Sequence, residues 1–166
     1  DGWSTVKSQE FDQTGNIISK FPEDPRFPGT MKYAIASEYA LTGKESLKVT
    51  ISVNAAGSFK SYLLREGGFT GGGATIYVLA PVLPDVVIDY IQLCIPSYGW
   101  ACSEGTDIVQ GEWTPITIDL EQVDKNGRAL SEQLLKEIAV QWKFSTTTKT
   151  SFDLYFDSVE IFHSGR

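Results

Sequence analysis

The sequence predicts an all-β chain: a sandwich of two antiparallel sheets joined as a jelly roll, with one concave face open to a ligand. Three observations lead there. Short runs with period-2 alternation recur along the chain, separated by Gly, Pro and Asn turn residues. Helical periodicity is nearly absent. Hydrophobic residues make up 42% and charged residues 21% of the 166, which suits one globular domain over residues 1–166 rather than a disordered segment.

Taken in order, residues 4–12 supply a first strand, with Thr14-Gly15-Asn16 as its turn. Residues 20–30 carry three prolines and are expected to be irregular. Residues 32–37 and 46–53 follow as strands. In the second, Leu47, Val49, Ile51 and Val53 alternate with Ser46, Lys48, Thr50 and Ser52, so one face is buried and the other wet. Residues 59–65 form another strand, ahead of a flexible loop in which glycines flank Phe69. A glycine-rich loop cradles phosphate when it leads from a strand into a helix; here a strand over 74–79 follows, which argues against phosphate. Strands over 86–95 and 113–120 come next. Ser131 to Ile138 reads as a Ser-capped helix of about two turns. Strands over 138–144 and 152–162 close the chain, for about nine to ten in all.

Charge narrows the partners. With 14 basic and 21 acidic residues the net charge is −7. A nucleic-acid backbone or an anionic membrane would be repelled. The N-terminus lacks a basic-then-apolar signal pattern, and no apolar run is long enough to span a bilayer. Enzyme chemistry is poorly served. His163, the single histidine, is the fourth residue from the C-terminal end, which removes His-based triads and multi-His metal centres. A carboxylate pair for glycoside hydrolysis remains as an alternative, with Asp89 the acid set in an apolar run.

Binding is better supported. In the stretch from Asp89 to Cys102, a strand ends at Pro96 and opens into Ser97-Tyr98-Gly99-Trp100. Flat aromatics suit the apolar face of a sugar ring, so Trp100 and Tyr98 are candidate platforms. Alternation places Tyr90, Gln92 and Cys94 on one face of the first strand. It places Ala139, Gln141 and Lys143 opposite Val140, Trp142 and Phe144 on the second. Each strand thus offers a central glutamine, whose amide both donates to and accepts from hydroxyls. Trp3 is a further candidate platform, while Trp113 and Trp142 read as packing residues. Cys94 and Cys102, seven residues between them, either close a local disulfide or remain free thiols. A second site is suggested by Asp157, an acid inside the apolar last strand. Calcium is one partner for it, with Asp12 and Glu10 from the first strand and loop oxygens near Lys44. A salt bridge to Lys44 or Lys48 is the other.

Several segments carry a resemblance. Leu41-Thr42-Gly43-Lys44-Glu45-Ser46-Leu47-Lys48-Val49, Gly111-Glu112-Trp113-Thr114-Pro115-Ile116-Thr117-Ile118-Asp119-Leu120 and Tyr155-Phe156-Asp157-Ser158-Val159-Glu160-Ile161 resemble three conserved segments of carbohydrate-binding modules with a β-jelly-roll fold. The block from Tyr77 to Trp100 is similar to modules attached to endo-β-1,4-glucanases and β-mannanases, as in families 16, 17, 27 and 28. The resemblance implies a secreted, monomeric, non-catalytic module that binds single chains of mannan, glucomannan or β-glucan and targets a covalently linked glycoside hydrolase. It also implies a structural calcium ion at Asp157. The cysteine pair and the proline-rich stretch fall outside the resemblance. A small hydrolase or lyase, and a cell-surface adhesion sandwich, are the alternatives.

Overall fold

A computed structural model describes residues 3–9, 29–124 and 126–164, with side chains for all of these except 3–9, 65–67, 163 and 164. Among these described residues ten strands run in chain order: β1 (Trp3–Gln9), β2 (Gly29–Ala36), β3 (Ser46–Val53), β4 (Gly57–Phe69), β5 (Gly73–Leu79), β6 (Val86–Ile95), β7 (Ala101–Cys102), β8 (Thr114–Asp119), β9 (Leu135–Thr146) and β10 (Thr150–Ser164). They form two antiparallel sheets. One has the order β2-β3-β10-β5-β8, with β1 also pairing β10; the other has the order β4-β9-β6-β7.

Alternation builds the core between them. Leu47, Val49, Ile51 and Val53 of β3, Ile116 and Ile118 of β8, and Phe152, Leu154 and Phe156 of β10 turn inward from the first sheet. Leu63 of β4, Ile91, Leu93 and Ile95 of β6, and Val140, Trp142 and Phe144 of β9 meet them from the second. Trp142 is fully buried, its ring centroid 5.6 Å from that of Phe156, as its parity with Val140 and Phe144 requires.

The expected helix at Ser131–Ile138 does not form. A 3-10 turn at Leu130–Glu132 gives way to β9, which pairs β4 on one side and β6 on the other. An isolated helix of two turns is marginal, whereas extending β9 back to Leu135 engages backbone groups against Arg65, Glu66 and Phe69 of β4. The Ser131 hydroxyl, expected to cap a helix, donates to Glu121 Oε2 instead. The first part of the expected glycine-rich loop likewise lies inside β4, with a register shift between Glu66 and Phe69. β7 has only two residues, too few for alternation to reveal. Its pairing with β6 brings Cys94 opposite Cys102, and the two are joined as a disulfide.

Candidate functional site

The outward face of the four-stranded sheet is assembled in rows. Lys60 of β4 stands opposite Lys143 of β9, which stands opposite Tyr90 of β6. One step along, Tyr62, Gln141 and Gln92 form the next row. After these come Leu64, Ala139, Cys94 and Cys102, a small apolar floor covered by the disulfide. Successive rows are about 7 Å apart, the advance of two strand residues.

The central row is polar and aromatic together. Gln92 Nε2 donates to Gln141 Oε1 at 2.7 Å. That bond uses one donor and one acceptor, so Gln92 Oε1 and the Gln141 Nε2 hydrogens remain for a ligand. Both side chains are half-buried, so they are oriented yet reachable. Tyr62 continues the row, and its ring meets that of Trp100 edge-on, centroids 5.1 Å apart and planes 72° apart. Trp100 is 41% exposed.

Local sequence explains how Trp100 comes to lie there. Pro96 starts a single 3-10 turn, Gly99 takes φ 73°, and Trp100 itself takes φ 56°. Two successive left-handed residues reverse the chain sharply. For tryptophan that backbone is unusual and must be held by its surroundings. Two restraints flank it: the edge-on contact with Tyr62 and the disulfide at Cys102, two residues on. Tyr90 is held from behind, where a Cβ on Gly105 would lie 3.0 Å from Tyr90 Cβ and Cγ, so a larger residue there would require the ring to give way.

Not every expected residue joins this face. Tyr98 packs its ring against the main core, with its hydroxyl 3.5 Å from the Leu134 carbonyl, and braces the turn rather than offering a platform. The 3-10 turn ends at Tyr98, and the left-handed backbone of Gly99 and Trp100 that follows turns Trp100 away from it. The backbone of Trp3 pairs with Ser164 on the other sheet, and its side chain lies outside the described residues. Trp113 is half-buried just before β8. Asp89 sits at a bulge between Ile88 and Tyr90 and accepts a hydrogen bond from Ser145 Oγ at 3.1 Å. Tyr62 was not anticipated. Its strand has Ser61 on the core face and Leu64 on the open one, so polarity alone points the alternation the wrong way.

Asp157 is fully buried where β10 exchanges its neighbour β3 for β1. Its Oδ2 accepts backbone N–H bonds from Leu41 at 2.9 Å and Thr42 at 3.2 Å, and its Oδ1 accepts one from Ser158 at 2.8 Å. Three amides therefore satisfy most of the carboxylate. The structure places Lys48 against Glu38 instead, 3.0 Å away, and that hydrogen bond raises the lysine's pKa and lowers the glutamate's. Lys44 is exposed in the bend before β3. Among the described residues no group of three or more His, Cys, Asp or Glu converges. They do not by themselves make the cage of six to eight oxygens that calcium takes. Glu10 and Asp12 lie outside the described residues.

No family model and no curated protein matches the chain. Solved structures do. A carbohydrate-binding module from a study of promiscuous specificity in the β-sandwich superfamily aligns with TM-score 0.57 and 21% identity, over 90% of this chain and 58% of its own. This chain thus spans a little over half of that one. The family 27 module of Caldicellulosiruptor saccharolyticus, in complex with mannohexaose, aligns with TM-score 0.63 and 13% identity, over 95% and 97% of the two chains. A second family 27 module, described for specific mannan recognition, aligns with TM-score 0.58 and 11% identity, over 97% and 98%. At such identities the likeness is one of fold, and it extends over nearly the whole of both family 27 modules. The chain has the two-sheet β-sandwich fold of these carbohydrate-binding modules.

Proposed function

We propose that this chain is a non-catalytic carbohydrate-binding module. It binds single chains of a β-1,4-linked plant cell-wall polysaccharide, a mannan, glucomannan or β-glucan, along the outward face of the four-stranded sheet. One observation carries the proposal: an exposed tryptophan packs edge-on against Tyr62, which shares a row with two glutamines already hydrogen-bonded to each other. A pyranose ring has an apolar face for Trp100 and equatorial hydroxyls for the free amide groups of Gln92 and Gln141. Because the platform and the amides are held before ligand arrives, little ordering entropy is lost on binding. The mannohexaose complex of a similarly folded module supports the ligand class. In this reading the domain is secreted, monomeric and linked to a glycoside hydrolase that it brings to substrate. Calcium belongs to the same reading, held by Asp157 with Glu10, Asp12 and loop carbonyls near Lys44.

Affinity electrophoresis in gels containing soluble glucomannan, galactomannan or β-glucan tests the proposal. Retardation of the native protein by at least one of them, lost in Trp100→Ala, is the expected result. Migration unchanged by every polysaccharide refutes it. Release of reducing sugar by the purified domain points to the hydrolase alternative instead.

A further inference from the structure

Lys60 and Lys143 stand directly opposite each other on the proposed ligand face, one row from Gln92 and Gln141. Like charges directly opposed across a strand pair destabilise a sheet. Neither lysine has a carboxylate within ion-pair distance among the described residues, where the ion pairs are Lys48 with Glu38 and Arg128 with Asp124. Asp89, the nearby acid, is turned to Ser145 Oγ. Glu137 lies three rows away, where it accepts from Ser97 Oγ at 2.9 Å. Lys60 is exposed and Lys143 half-buried, so both are reachable beside the Tyr90 ring. The feature is unexpected in a chain with 21 acidic and 14 basic residues, which has acids to spare for neutralising a surface pair.

We infer that the glycan this face prefers carries an anionic substituent on that backbone, a uronate carboxylate or a sulfate ester, which Lys60 and Lys143 receive together while Trp100 and the glutamines hold the neutral backbone. The inference rests on the proposed carbohydrate-binding function and refines its substrate class. Lys60 and Lys143 form one cationic row of the face, with the Asp89 carboxylate held by Ser145 on one side and the Glu137 carboxylate three rows away on the other. An acidic substituent is therefore accepted at the lysine row, which fixes where along the groove it lies.

The test is isothermal titration calorimetry of the intact protein with three oligosaccharide sets of matched backbone: neutral, uronate-bearing and sulfated. At low salt the wild type should prefer at least one anionic set over the neutral one by roughly fivefold, the yield of two charge contacts at a solvent-accessible face. The set preferred identifies the substituent. The preference should shrink at 0.5 M salt through screening. It should disappear in Lys60→Gln/Lys143→Gln and persist in Lys48→Gln on the other sheet. Equal affinity for neutral and anionic sets, or a preference that survives the double substitution, overturns the inference while leaving carbohydrate binding intact. Failure to bind any of the three sets, joined with no retardation by the soluble polysaccharides, removes the carbohydrate reading itself.

Discussion

Gln92 and Gln141, forty-nine residues apart in the chain, face each other across β6 and β9 and share a 2.7 Å hydrogen bond on the open face of the sheet. The pair fixes which end of each amide faces outward: an acceptor from Gln92 and donors from Gln141. Truncating either residue should therefore weaken binding without unfolding the protein. Gln92→Ala and Gln141→Ala are each expected to cost about 1 kcal/mol of binding free energy. Because they share a bond, the double variant should lose less than the sum of the two. Calorimetry on the three variants measures this, and strict additivity would show that the bond does not orient the ligand contacts.

Trp100 is expected to dominate affinity. Trp100→Ala should cost about 2 kcal/mol or more, the typical loss at a tryptophan hot spot, or roughly 30-fold in affinity. Its thermal midpoint should fall only slightly, because the side chain is 41% exposed and contributes chiefly its edge contact with Tyr62. Tyr62→Ala should show the same pattern more weakly, since it removes the support rather than the platform.

The Cys94–Cys102 disulfide closes a short loop around Trp100. Cys94→Ala/Cys102→Ala should destabilise the fold by about 2–3 kcal/mol in the chain-entropy account. Glycan affinity should fall too, because the left-handed Trp100 backbone loses a neighbouring restraint. Denaturant unfolding and calorimetry on one preparation separate the two effects. Unchanged affinity would mean that Tyr62 alone holds the platform.

If calcium joins Asp157, Glu10 and Asp12, adding EDTA to a metal-loaded sample should lower stability by about 3–4 kcal/mol, the linkage expected at a large excess of ion over its dissociation constant. An unchanged melting curve removes the ion and leaves the three amide bonds as the whole account of the buried carboxylate.

Asp124 gives a pH dependence of known sign. The Arg128 amide foremost, then the Asn126 amide and the Gln133 side chain, hold its carboxyl below the ordinary range. A depressed carboxyl stabilises the fold fully above its unfolded pKa, and that contribution drains away as pH falls through the lower folded value. Acid should thus loosen the turn ahead of β9, and Asp124→Asn should flatten that part of the stability–pH curve. Hydrogen exchange of the Arg128 amide between pH 5 and 2.5 follows it directly.

Alternation over two residues is a local property, so the sequence by itself determined which faces of β3, β6, β8 and β9 are apolar. It therefore also determined that Trp142 is core and that Gln92 and Gln141 look outward. It likewise marked Trp100, beyond a proline and a glycine, as a residue set apart from the sheet. Tertiary structure decided what no local pattern contains: register between distant strands, and the fate of segments whose local preference is weak. Pairing on both sides turned residues 135–138 from a short helix into the start of β9, because backbone hydrogen bonds to β4 outweigh the preference of a two-turn segment. Register placed Tyr62 beside Gln141 and edge-on to Trp100, although Ser61 and Leu64 obscured its face, and it set Lys60 against Lys143. The 3-10 turn laid Tyr98, partly buried, against the core and left Trp100 outside. Trp100 was visible as a residue; what makes it a site is its neighbours, and those come from three different strands.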